Sequence, residues 1–284
     1  MNKRPTVSFL ALLIAAIFVA TPAFADSFNF STGNPDGLIG TLSRPASPGI
    51  VQTETADDFI LSRRTLLNQA TFVGLIPLGT PLSSITDVEI ELYHVFPEDS
   101  ANPPSGNVPA RANSPADVEI ASATRDSIAG TLKFTSSLVS PSFKVANTVV
   151  NGIHPKPGQF TGGEGPATGQ EVLISVDFTT PILLDPNHYF FRPEVQLATG
   201  EFLWLSAPKP NGVPDLQSWT RNDDLAPDWL RIGTDITEQG PFNAAFSLSG
   251  QTVPEPSTLL LLGSGLSVLA VRRRRRSTQA AREN

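Results

Sequence analysis

The feature that most constrains the fold is how often proline and glycine interrupt the chain between Asp26 and Thr252. The full sequence contains 26 prolines and 21 glycines, and Ser and Thr are also frequent in this region. Proline breaks helices and glycine weakens them, so long helices are not expected. The length of the region suits one domain of sandwich or barrel size. The composition therefore favours a single, mostly β domain.

Two segments carry the period-two alternation of half-buried strands. Residues 87–92 place Val88, Ile90 and Leu92 on one face, and residues 172–178 do the same with Val172, Ile174, Val176 and Phe178. The acidic residues between them, Glu89 and Glu91, then belong to a solvated face and take no catalytic role. Further strand candidates are Asp58 to Leu61, Thr71 to Leu75, Val118 to Ala121, Thr131 to Phe134, Tyr189 to Leu197, Glu201 to Leu205 and Phe242 to Leu248.

Short strands with turn residues between them predict an antiparallel β-sandwich of the jelly-roll type, with a barrel as the alternative. Two long segments interrupt the strands. Pro97 to Pro115 and Asn151 to Gly169 are rich in turn residues and are predicted to be surface loops.

The N-terminus has the three parts of a secretory signal peptide. Lys3 and Arg4 are positively charged, Phe9 to Ala20 is apolar, and Ala23-Phe24-Ala25 supplies small residues at the spacing that signal peptidase requires. We therefore predict a signal peptide at residues 1–25 and a mature chain that starts at Asp26. A retained N-terminal membrane helix is the alternative.

The C-terminus has a second membrane-directed signal. The motif residues Pro254, Glu255 and Pro256 precede an uncharged apolar run, Thr258 to Val271. A helix of roughly 15 residues is about 22 Å long, which is short for a hydrocarbon core of about 30 Å. The positive-inside rule places the arginines after it in the cytoplasm and everything before it outside. These arginines are Arg272, Arg273, Arg274, Arg275 and Arg276.

This order of motif, short helix and basic cluster resembles the PEP-CTERM sorting signal of Gram-negative bacteria. The resemblance implies a sorting tail at residues 253–284 that a membrane-bound exosortase processes. It also implies a precursor held transiently in the inner membrane and a mature protein at the cell surface or outside the cell. The alternative interpretation is an ordinary stop-transfer anchor or a buried helix that ends in arginines.

Charge and cysteine content exclude several classes of function. Removing the two terminal signals takes away 8 of the 20 basic residues and 2 of the 27 acidic ones, which leaves 12 against 25, or about −13. Such a region repels nucleic acid, so nucleic-acid binding is not expected. The chain has no cysteine, which excludes disulfides, thiolate metal sites and cysteine nucleophiles.

One segment carries the residue types of a ligand site. Two tryptophans flank a run of carboxylate and amide side chains, and exposed indoles can stack on sugars while clustered oxygens can bind calcium. The alternative is that the indoles belong to the core and the acidic run is a solvated turn. The candidate residues are Trp219, Asn222, Asp223, Asp224, Asp228 and Trp229.

The rest of the sequence contains no catalytic or metal-binding motif. His94, His154 and His188 are too far apart for ligand spacing, and the chain has no Gly-x-Ser-x-Gly elbow. We therefore expect a non-catalytic envelope or extracellular-matrix protein without a cofactor, one that could bind exopolysaccharide. The alternatives are a glycan-acting hydrolase and a calcium-dependent adhesive or structural module.

Overall fold

The computed structural model describes residues 25–153, 160–209 and 217–253. Ser27–Thr252 forms one compact unit. The predicted signal peptide and sorting tail lie outside the described residues, apart from Ala25 and Val253 at their ends.

The described part of the chain is mostly β, as predicted. Short helical turns occur at Leu82–Ser84, Ala121–Ala123 and Ile232–Ile236. The strands are β1 (Ser27–Ser31), β2 (Ile39–Leu42), β3 (Thr53–Leu61), β4 (Thr65–Ile76), β5 (Ile85–His94), β6 (Arg125–Asp126), β7 (Leu132–Val145), β8 (Asn147–Val149), β9 (Ala167–Leu184), β10 (Asn187–Leu197), β11 (Leu203–Ala207), β12 (Trp219–Asn222), β13 (Leu230–Arg231), β14 (Asn243–Ala244) and β15 (Phe246–Thr252).

These strands form two sheets. The first sheet has the order β1-β15-β4-β11-β2-β8. In addition, β9 pairs with β4, β7 pairs with β9, and β14 pairs with β11. The second sheet has the order β13-β12-β3-β10-β5-β6. Strands β2 and β8 pair in parallel, which departs from the antiparallel prediction, whereas the other strand pairs in the described ranges are antiparallel.

The main core lies between the two sheets. The first sheet contributes Phe72 and Ile174, the second contributes Ile90 and Phe191, and all four are buried. Phe191 stacks on Phe246 of β15 with ring centroids 5.0 Å apart. The inward positions predicted in residues 87–92 and 172–178 are confirmed. The residues that belong to this core are Val88, Ile90, Leu92, Val172, Ile174, Val176 and Phe178.

The strand predicted at Val118 to Ala121 is wrong. This segment leads into the 3₁₀ turn Ala121–Ala123, and the backbone N–H of Ile120 donates to the carbonyl of Leu92 at 2.7 Å. The short apolar alternation at residues 118–121 was therefore not enough to specify a paired β-strand. The predicted loop at Pro97 to Pro115 is confirmed, since it contains no strand and makes a single β-bridge, between Pro115 and Val95.

Candidate functional site

The two candidate tryptophans lie inside the protein. Trp219 belongs to β12, Trp229 directly precedes β13, and both indoles are fully buried. They pack with Tyr93 and Phe190 in a small apolar cluster on the second sheet, separate from the main core. An indole in this position has no free face for a sugar, so the hypothesis of sugar stacking on Trp219 and Trp229 is wrong.

The polar candidates between them do not share a common site. The Oδ1 atom of Asn222 accepts the N–H of Leu225 at 3.0 Å, whereas Asp223 and Asp224 are exposed. Asp228 is buried and pairs with Arg111 at 3.1 Å, and it also contacts Ser105. Both partners of Asp228 come from the loop predicted at Pro97 to Pro115. The loop therefore packs onto the segment that directly precedes β13.

The same face carries a buried ionic cluster around Arg192 of β10. The guanidinium lies 3.1 Å from Glu54, 2.7 Å from Glu91 and 2.8 Å from Glu194. Arg221 of β12 also pairs with Glu54 and lies 4.2 Å from the centre of the Trp229 ring. We define these ion pairs as the Arg192 cluster. They show that the solvated face predicted for Glu89 and Glu91 is wrong, because Glu91 is largely buried within the cluster.

The carboxyl groups of this face differ in protonation. Burial raises the pKa of Glu194 to about 8, although Arg192 favours its ionised form. Burial, with Glu91 and Asp126 nearby, raises the pKa of Glu89 to about 7. For Glu54 burial also opposes ionisation, but the attraction of two arginines holds its pKa below the ordinary value. The face therefore combines one carboxyl group whose pKa is lowered, Glu54, with two whose pKa values are raised, Glu89 and Glu194.

The described residues contain no group of three or more His, Asp or Glu side chains placed to hold a metal ion. His94 pairs with Asp99 at 2.9 Å, and His188 pairs with the buried Asp58. His154 lies outside the described residues.

An open groove lies on the first sheet, at a place where its strands lose their regular register. The β4 residue Gln69 pairs with Ser249 of β15, but Leu67 pairs with the very next residue, Gly250, so Asn68 is an extra residue. The pairing of β4 with β9 shifts at the same point. A β-bulge bends the strand that carries it, and bulges often occur beside binding sites. We call this depression the bulge groove.

The bulge groove has a volume of about 480 Å³ and is lined mainly by uncharged polar side chains. Gln69 is held in place, because its Nε2 atom donates to Asp177 at 2.7 Å and its Oε1 atom accepts from Ser249 at 3.3 Å. Amides and hydroxyls can each donate and accept hydrogen bonds. The lining residues are Ser27, Phe28, Asn29, Asn68, Gln69, Asp177, Phe178, Ser249, Gly250 and Gln251.

Sequence reasoning missed the bulge groove. The alternation in Ser27-Phe28-Asn29-Phe30-Ser31 gave a signal for β1, with its phenylalanines inward and its polar residues outward. The groove itself combines side chains from β1, β4, β9 and β15, which are separated by up to about 220 positions in the sequence. No local pattern indicates that four such distant segments meet.

Comparison with known proteins identifies the C-terminal signal. Residues 252–276 match the family model of the PEP-CTERM protein-sorting motif. No curated protein matches the chain. Within the part of the chain that the structure describes, no helix has the length and apolar character needed to cross a membrane.

The fold and this match define the class of protein: a mostly β domain that carries a C-terminal export signal. More narrowly, residues 252–276 of the chain carry a PEP-CTERM protein-sorting motif. Its residues Pro254, Glu255 and Pro256 and the arginines at 272–276 fall within the matched region and lie outside the described residues.

Proposed function

We propose that the exported domain is a non-catalytic glycan-binding module of the cell envelope or extracellular matrix, and that it binds exopolysaccharide in the bulge groove without a metal or cofactor. The supporting observation is the lining of the groove, where carboxamide and hydroxyl groups from four strands surround one depression. The predicted jelly-roll type of sandwich is part of this proposal.

The chemistry of the groove suits a sugar. Each sugar hydroxyl both donates and accepts hydrogen bonds, and the side-chain amides of Asn29, Asn68, Gln69 and Gln251 do the same. Gln69 is already oriented by Ser249 and Asp177, so less side-chain entropy is lost when a ligand binds.

The charge of the groove favours a neutral glycan. Asp177 is the charged residue among those that line it. The mature region as a whole carries about −13, which would repel a polyanionic polysaccharide. A neutral polymer therefore fits this site better than an acidic one.

The sorting signal supports a location where such polymers occur. In this proposal signal peptidase cuts after Ala25, the C-terminal tail holds the precursor in the inner membrane, and exosortase processes that tail. The mature domain is then at the cell surface or outside the cell, together with the polysaccharides it would bind.

Binding to neutral oligosaccharides tests the proposal. Mature protein recovered from the extracellular fraction is titrated calorimetrically with cellohexaose, mannohexaose and maltohexaose, with alginate as the acidic comparator. We expect one neutral ligand to bind and Gln69→Ala to weaken it at least tenfold, because one hydrogen bond contributes about 0.5–1.5 kcal/mol and Gln69 offers several bonding positions.

The matched control is Asn34→Ala, since Asn34 is an exposed amide outside the groove. Equal affinity of the Gln69→Ala variant and the native protein would contradict the proposed site. Each titration is repeated with calcium and with a chelator, and the products are assayed for new reducing ends. Strict calcium dependence would favour the adhesive module, and new reducing ends would favour the hydrolase.

A further inference from the structure

The outer face of the first sheet continues from the bulge groove as a strip of polar side chains. Five neighbouring strands, β1, β15, β4, β9 and β7, are in register there, and their outward residues align into two rows across the sheet. The groove row is Asn29, Ser249, Gln69, Asp177 and Lys133, and the hydroxyl row is Ser31, Ser247, Thr71, Ser175 and Thr135.

All ten side chains point away from the core, and all are exposed or half-exposed. Their strand neighbours, such as Phe72 and Ile174, supply the buried face of the same strands. Neighbouring strands lie about 4.8 Å apart, so each row spans roughly 19 Å, and the two rows are about 7 Å apart along the strands. The strip is thus long enough for several sugar units.

The strip ends where the outward residues become apolar. In the next register row Val73 of β4 is opposite Leu173 of β9, and both belong to the half-buried apolar part of this face. The polar rows are therefore a bounded feature, and they are not typical of the whole outer surface of the sheet.

We propose that the two rows form an extended subsite, which binds a neutral polysaccharide chain that lies across the strands and continues from the bulge groove. This inference rests on the proposed function, and it adds the class of ligand: a polymer several sugars long. A short ligand contacts the groove row within the bulge groove, and a longer one also reaches the hydroxyl row, about 7 Å away along the strands.

The hydrogen bonding within the rows supports an ordered surface. The hydroxyls of Thr71 and Ser247 lie 2.6 Å apart, and Gln69 joins Ser249 to Asp177. Each hydroxyl bonded to a neighbour keeps further hydrogen-bonding capacity for a ligand. The side chains of the hydroxyl row are all Ser or Thr and are short, so little rotamer entropy is lost when they are fixed.

The charges of the rows also favour a neutral polymer. Asp177 and Lys133 are paired in register on β9 and β7, so their charges offset each other. The eight other residues are uncharged.

Affinity as a function of ligand length tests the extended subsite. The mature protein is titrated with an oligosaccharide series, from disaccharide to octasaccharide, of the neutral glycan that binds best among the three hexaoses. We expect affinity to rise at least tenfold between the disaccharide and the hexasaccharide. The double variant Thr71→Val with Ser175→Ala should lose at least fivefold for the hexasaccharide and less than twofold for the disaccharide. The control is Thr86→Val, an exposed threonine on the other sheet.

The outcomes separate the two proposals. If Gln69→Ala weakens all lengths but the double variant binds the hexasaccharide as tightly as the native protein, the extended subsite is wrong and the groove stands. If no neutral glycan binds, both are wrong. Sedimentation of the same variants provides a second measurement, because a dimer that dissociates on Thr71→Val with Ser175→Ala would show that the rows bind a second copy of the chain and would overturn the proposal.

Discussion

Replacing Arg192 by methionine measures how strongly the Arg192 cluster stabilises the fold. The side chain is 2% exposed and lies within 3.1 Å of Glu54, Glu91 and Glu194. Methionine fills much of the same volume without a charge, so the change mainly removes the cation. The carboxylates then stay buried without their main partner.

The expected loss in the free energy of unfolding at pH 7 is about 3–5 kcal/mol, the usual cost of removing one partner from a buried ion pair. Two features of the structure set this range. Glu194 has a pKa of about 8, so it stays protonated when the arginine is removed. Glu54 retains Arg221 as a second partner. The loss therefore comes chiefly from Glu91 and part of Glu54.

Urea denaturation followed by tryptophan fluorescence measures the loss, because Trp204, Trp219 and Trp229 are all buried in the folded protein. The matched control is Arg64→Met. Arg64 and Asp185 form an ion pair at 3.0 Å, but their side chains are 50% and 76% exposed, so this change should cost at most about 1 kcal/mol. At pH 5 the carboxylates left by Arg192→Met protonate more readily, and its loss should shrink.

Equal losses for Arg192→Met and Arg64→Met at pH 7 would refute this reasoning, since buried and exposed pairs would then contribute alike. A loss for Arg192→Met that is the same at pH 5 and pH 7 would also refute it. Such a result would mean that packing, and not charge, holds this face of the sheet together.

The remaining predictions concern other parts of the molecule. Trp229→Ala should cost about 3–5 kcal/mol in urea denaturation, as expected for a buried aromatic, and a loss below 1 kcal/mol would contradict its burial. On β9, Ile174→Ala should cost about 2–5 kcal/mol and Ser175→Ala at most about 0.5 kcal/mol, and equal effects would contradict the sidedness of the strand. The folded chain keeps protons on Glu194 that the unfolded chain releases above its ordinary pKa of 4.5, so this stability is full below pH 4.5 and is lost as the pH rises to about 8. Glu194→Gln should flatten that pH dependence of the urea midpoint, and an unchanged slope would assign it to other groups. Mass spectrometry of the extracellular protein should find no peptides from Thr258 to Arg272, and recovery of such peptides would show that the tail is retained.

The period-two pattern predicted much of the fold because burial of one strand face is a local property. Val88, Ile90 and Leu92 have to face a core wherever the strand pairs, so their positions could be inferred from residues 87–92 alone. The C-terminal sorting motif could also be inferred, because membrane insertion responds to local hydrophobicity and charge, and the match at residues 252–276 confirms it.

What covers the other face of a strand is decided by residues far away in the sequence. Glu91 had the pattern of a solvated residue, but Arg192, about 100 positions later, pairs with it in a buried cluster. Trp229 is buried against Tyr93 of β5 and Arg221 of β12, and the loop that contains Arg111 packs onto the adjacent Asp228. The identity of these side chains is given by the local sequence, but their burial depends on contacts with distant segments.

The sequence alone thus determined that the chain is exported and mostly β, because both depend on local composition and periodicity. Only the tertiary structure decided where a ligand could bind. It buried the predicted tryptophans, and it placed the bulge at Asn68 beside polar side chains from β1, β9 and β15. A site made by strand register depends on which distant strands pair and where their register shifts, and both follow from packing of the whole domain.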